Sequence, residues 1–246
     1  MIIRHFIAIT VMLTCFCLSA IAQRWQDNYE FGLSAGLFLY QGDLTPRTEG
    51  AIETPRFGVN LSAARILTNS FSLRANLSIG SLHADDAVYE KPEWRQQRNF
   101  QFSTPIIEPS AQIVWDVLGK NKTRSGFVPY IYGGVGVSFL RINRDFSRFN
   151  TEAFSAEPRV AEGLLRDAAH GTPPAVFVLP AGVGLKYWLT RNIAINAEAS
   201  YRVTFSDYVD GFSQSASPSK RDYYYNHSIG IIFRPGGKNY LDCPVW

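Results

Sequence analysis

His83, Asp85 and Asp86, in the run HADD, come nearest in this chain to the spacing of catalytic chemistry. An Asp beside a His can orient the imidazole so that it activates a water. The remainder of such a machine is missing from the sequence. No second acidic site with its own His stands on another strand, and His170 and His227 have no His or Cys at ligand spacing. Ser, His and Asp are scattered along the chain and form no nucleophile constellation. His83, Asp85 and Asp86 therefore read as the solvated start of a loop, and the chain as non-enzymatic, with no catalytic residue, metal or cofactor. An enzyme acting on lipid or peptide at an outer rim is the lesser alternative.

A second set of ionisable residues recurs at one parity of amphipathic segments: Glu30, Arg74, Glu108, Lys186, Glu198 and Arg202. Opposite charges on one face point to internal ion pairs that hold a structure closed and do no chemistry. What matters is the element that carries them. In Asn28 to Leu44, Tyr29, Phe31, Leu33, Ala35, Leu37 and Leu39 alternate with Glu30, Gly32, Ser34 and Gly36, and Phe38 and Tyr40 close the second side with rings. Successive strand residues face opposite ways, so this is a strand with one apolar and one small, polar face.

The alternation recurs from Pro55 to Leu67, from Phe71 to Gly80, and from about Phe100 to Val117, where Pro105 and Pro109 interrupt the donors. It returns from Phe127 to Ile142, Ala175 to Leu189, Ile193 to Phe205 and Tyr223 to Arg234. Thr68-Asn69-Ser70, the basic link Gly119 to Gly126 and Thr190-Arg191-Asn192 are short or medium connections. Gln41 to Thr54, His83 to Asn99, Asn143 to Pro174 and Asp207 to Asp222 are long and polar. Within the longest, Pro158 to Ala169 has helical spacing at Val160, Leu164, Leu165 and Ala168, with proline suited to a first helical position.

The start and composition of the chain set its compartment. Arg4, the apolar run Phe6 to Ile21 and Ala20-Ile21-Ala22 predict a secretory signal, residues 1–22, cleaved before Gln23; a retained membrane anchor is the alternative. Neither Cys15 nor Cys17 follows a small residue as a lipoprotein signal requires, and both leave with the signal. Cys243 then stands alone, as a free thiol or an intermolecular bridge. A net charge of +3, dispersed along the chain, excludes nucleic acid as a partner class. Aromatics make up 14% and charged residues only 18%.

Long and short connections alternate around an even number of strands behind a secretory signal. This predicts an all-β, eight-stranded antiparallel transmembrane outer-membrane β-barrel with long extracellular loops. The barrel takes residues 23–235 and a periplasmic tail residues 236–246, with both termini in the periplasm. A soluble lipocalin-like barrel would need a charged exterior around an apolar cavity. Here the nearly charge-free face suits lipid, and the small polar face suits a narrow, packed lumen without porin-like conductance. Tyr29, Phe31, Trp115, Tyr187 and Phe233 gather at the lower interface, and Phe139, Phe177, Phe205 and Tyr225 at the upper one, as aromatic girdles do.

Three segments go beyond a generic barrel: Tyr40-Gln41-Gly42-Asp43-Leu44, Asp207-Tyr208-Val209-Asp210-Gly211-Phe212-Ser213, and Cys243-Pro244. Together with the strand plan they resemble a Bacteroidetes family of small outer-membrane barrels, the PorG-like proteins of the type IX secretion system. The resemblance covers most of the mature chain, apart from the helical insert. It implies a non-catalytic component that ties the outer membrane to a periplasmic ring of a lipoprotein and its partner. Candidate docking residues are Lys120, Lys122 and Arg124 on one turn, and Tyr240, Leu241, Cys243 and Trp246 in the tail. The alternative of another class is an OmpX/OmpA-like structural or adhesive surface barrel whose loops do the work.

Overall fold

A computed structural model of the protein describes residues 28–46, 50–206, 208–216 and 222–236. The signal segment and the tail residues Tyr240, Leu241, Cys243 and Trp246 lie outside the described residues. Eight long strands form the wall: β1 (Tyr29–Gln41), β2 (Arg56–Ile66), β3 (Phe71–Asp85), β4 (Gln101–Asp116), β5 (Gly126–Leu140), β7 (Ala175–Trp188), β8 (Ile193–Thr204) and β9 (Tyr223–Phe233). A three-residue strand, β6 (Asn143–Asp145), adds to the end of β4 outside the wall. Each wall strand pairs antiparallel with its neighbour, and β9 returns to β1 with Phe31 opposite Phe233 and Gln41 opposite Tyr223. The sheet is therefore a closed eight-stranded antiparallel barrel, in which no wall strand leaves an unpaired edge.

The two parities separate as the sequence predicts. Leu33 is 60% exposed, Ile113 61% and Ile229 72%, all on the outside, whereas Glu108, Ser138 and Thr204 are fully buried inside. An outer wall of aliphatic side chains around a polar interior defines a transmembrane barrel of the outer-membrane type. Aromatic residues mark both borders. At one end Phe127 and Tyr187 lie 4.6 Å apart between ring centroids, and at the other Phe177 and Phe205 lie 5.8 Å apart. Small inward positions let rings into a narrow lumen: a Cβ on Gly58 or Gly80 would collide with the Phe38 ring. The prolines of β4 are tolerated at a local cost. Its ladder to β5 is interrupted between Ile107↔Phe139 and Ser110↔Gly136, beside Pro109.

Three short connections, 67–70, 117–125 and 189–192, cluster at one end with the chain's entry and exit. At the other end the structure departs from the sequence expectation. The β3–β4 hairpin extends to Asp85↔Gln101, five residues past Gly80. The long loops are not simply polar. They carry a 3₁₀ turn (Asp86–Val88), α1 (Trp94–Arg98) and α2 (Pro158–Ala169), the last with the predicted bounds. Leu44, Ala51, Phe100, Leu164, Val209 and Phe212 of the loops form one buried cluster with Phe38, Tyr40, Leu82, Ala84, Phe102 and Tyr224 of the wall strands. The loops thus fold into a cap with its own hydrophobic core, seated on the barrel mouth.

Candidate functional site

Inside the barrel the six charged residues singled out in the sequence meet in three pairs. Lys186 Nζ lies 2.9 Å from Glu30, Arg74 Nη1 2.5 Å from Glu198, and Arg202 Nε 3.3 Å from Glu108. Neutral groups complete the Arg74–Glu198 and Arg202–Glu108 pairs. Gln112 accepts from Arg74 at 2.7 Å, and Tyr130 donates to Glu198 at 2.6 Å. Ser138 and Tyr224 both donate to Glu108. The Arg74 guanidinium also sits 4.1 Å over the Tyr132 ring. A fourth cation escaped the sequence reading: Arg234, at the end of β9, lies 3.9 Å from Glu30 and over the Trp188 ring. The space among Glu30, Arg74, Tyr130, Lys186 and Glu198 is about 20 Å³, room for roughly one water. A larger concavity of about 960 Å³ lies on the lipid-facing wall between Phe31 and Phe177, and no ionisable side chain lines it.

The second polar centre lies in the cap, where the two signature segments meet. The Tyr40 hydroxyl is 2.6 Å from Asp210 Oδ2 and 2.5 Å from Asp222 Oδ1. A phenol has one hydrogen to donate, so these two contacts require a second proton, carried by a carboxyl. Burial pushes the Asp210 carboxyl well above its ordinary range, and the neighbouring Asp222 and Asp43 add to the rise. Backbone N–H groups hold the far oxygens: Phe212 donates to Asp210 Oδ1 at 2.8 Å, and Val209 to Asp222 Oδ2 at 2.9 Å. The Asp43 N–H completes the Tyr40 hydroxyl at 3.1 Å.

Several positions of these short motifs now have a physical reason. A Cβ on Gly42 would strike the Tyr40 hydroxyl and Asp222. The Asp43 carbonyl accepts from Arg95 and Arg98, and Leu44 is fully buried. Gly211 has φ +85°, where a side chain would be strained. Phe212 stacks on Phe100 with centroids 4.6 Å apart.

His83, Asp85 and Asp86 are each engaged by a different partner. His83 Nδ1 lies against the Phe102 carbonyl, and Asp85 caps the Ala87 N–H. Asp86, read in the sequence as solvated, is fully buried and bridges Arg95 at 2.8 Å and Arg98 at 2.6 Å. The spacing of Arg95 and Arg98, three apart on α1, was the available signal. Asp167 of α2 is likewise buried, and accepts from the backbone of Ser213, Gln214 and Ser215. His170 stacks on Tyr208 at 4.3 Å, and His227 faces outward beside Tyr225. Of the docking candidates, Lys120 and Lys122 are exposed, whereas Arg124 donates to the carbonyls of Arg191, Pro235 and Gly236.

A closed barrel with an ion-paired lumen and a folded cap defines the class: a transmembrane outer-membrane-type barrel. Within that class the chain belongs to the DUF6089 family, a domain of unknown function, which matches residues 7–230. No curated protein matches it. Among solved structures it is similar to Neisserial surface protein A, at 15% identity and a TM-score of 0.45, over 84% of this chain and 96% of that one. It is also similar to OprG from Pseudomonas aeruginosa, at 11% identity and a TM-score of 0.44, over 85% and 96% of the two chains. A third is the attachment invasion locus protein of Yersinia pestis with a heparin analogue, at 12% identity and a TM-score of 0.40, over 84% and 99%. The strand pairing, rather than these likenesses, defines the fold.

Proposed function

We propose that this protein is a non-catalytic structural or adhesive surface barrel. Its short turns and both termini face the periplasm, and its loop cap faces outward. The observation that carries this reading is the cap itself. A buried core and the Tyr40–Asp210–Asp222 clasp hold four loops in one arrangement, and a surface that is already ordered loses little entropy on contact with a partner. The filled lumen argues against transport through the barrel. The test is adhesion of a non-adherent host that displays the protein. Wild type is expected to confer adhesion, and Tyr40→Phe to reduce it at equal surface level. No adhesion by either would remove the adhesive role. Orientation is read separately at Cys243, which in intact cells is expected to resist a membrane-impermeant maleimide. Labelling there would invert the assignment.

A second reading is a secretion-machine barrel of the type IX kind that anchors a periplasmic ring. Its support is that YQGDL and DYVDGFS meet in one clasp and so act as a single signature rather than two short coincidences. Purification in mild detergent is expected, on this reading, to bring down ring proteins including a lipoprotein. A barrel that purifies alone would remove it.

A further inference from the structure

Charge is distributed unequally between the two ends of the barrel. At the long-loop end, exposed carboxylates (Glu53, Glu90, Asp145, Glu152) are interspersed with exposed cations (Arg56, Lys91, Arg141, Arg148). At the short-turn end Arg65, Lys120, Lys122 and Arg191 are exposed, and among the described residues no exposed carboxylate accompanies them. Asp116, the acid of that end, is buried and accepts from the N–H groups of Leu118 and Lys120.

The position of these cations says what they face. Arg65 continues the outward parity of β2, on the perimeter rather than over the mouth, and Arg191 is an exposed residue of the β7–β8 turn. Exposed aliphatic residues stand beside them at each turn: Leu67 with Arg65, Val117 and Leu118 before Lys120 and Lys122, and Leu189 before Arg191. An apolar side chain ending the hydrocarbon contact, with a cation two to four residues away, places positive charge at the depth of lipid phosphates. A protein docked across the mouth would instead be met by inward-facing groups, and there Arg234 is buried against Glu30 and Trp188.

We propose that the short-turn rim is a binding surface for the phosphates of anionic phospholipid headgroups in the leaflet at that end. The surface rests on the lipid-facing reading of the outer wall and does not depend on which role the cap plays. Each cation near an anionic lipid surface gives about a fivefold bias at low salt, and the bias fades as salt rises.

The test uses the full-length mature protein in nanodiscs of equal phosphatidylglycerol and phosphatidylcholine, with retained lipid read by native mass spectrometry. Wild type is expected to retain phosphatidylglycerol over phosphatidylcholine by at least about fivefold. The combined Arg65→Gln, Lys120→Gln, Lys122→Gln and Arg191→Gln variant is expected to lose the preference. Arg141→Gln with Arg148→Gln, at the opposite end, is expected to keep it. Both variants should still migrate as folded barrels on unboiled denaturing gels. Equal retention of the two lipids by wild type, or equal loss in both variants, overturns the proposal. Unchanged lipid preference with loss of a co-purifying acidic protein overturns it in favour of a protein partner. Failure of wild type to enter nanodiscs would strike instead at the membrane-barrel reading beneath it.

Discussion

The lumen and the cap are both buried polar networks, built on opposite rules. In the lumen each carboxylate meets a cation, and hydroxyls and an amide support the Glu198 and Glu108 pairs. In the cap clasp two carboxyl groups, one of them protonated, converge on one phenol and are held by backbone N–H groups. The first arrangement suits a wall that stays closed under all conditions. The second suits loops whose hold depends on protonation. The barrel and its cap are thus separable in what breaks them, although they share strand β1.

The largest expected effect comes from unpairing the lumen. Glu108→Ala leaves the Arg202 guanidinium buried without its carboxylate, which costs about 3–5 kcal/mol. Reversible urea unfolding in micelles should show that loss in the whole barrel. Tyr40→Phe comes next. It strips the clasp of its hydroxyl and should cost about 1–3 kcal/mol, read as faster proteolysis of the loops while the unboiled barrel keeps its gel position.

The pH response follows in size and sharpens the contrast. Asp210 has a folded-state pKa above its unfolded one, so the folded cap favours the protonated acid. Its contribution is full below the ordinary carboxylate pKa and declines as pH rises toward the folded value. Protection of the Val209 and Phe212 amides, corrected for intrinsic exchange rates, should fall with rising pH, and Asp210→Asn should flatten that slope. The smallest effect belongs to the exposed Glu162–Arg166 pair at 3.9 Å on α2. Glu162→Gln should leave stability within about 0.5 kcal/mol of wild type.

Legibility in the sequence follows the same division. A two-residue period is local, so the wall strands, their inward charges and the closed plan could be read from alternation alone. The bounds of α2 were equally local, set by Pro158 and the spacing of Val160 and Leu164. Which acid would meet which base was not readable, because pairing across the lumen depends on shear around the whole barrel. The cap was hidden for a different reason. Phe100, Val209 and Phe212 sit in stretches that look hydrophilic on average, and they become a core only when distant loops converge. Asp86 looked solvated for the same reason. The segments YQGDL and DYVDGFS were visible as motifs, but their meaning required Tyr40 and Asp210, 170 residues apart, to share a hydrogen bond.

Hydrogen exchange on wild type and Tyr40→Phe tests the separation of cap from barrel most directly. The expected result is lost protection at Val209 and Phe212, with the β1–β9 ladder from Phe31↔Phe233 to Leu37↔His227 unchanged. Protection lost from cap and ladder together, or retained in both, would contradict it.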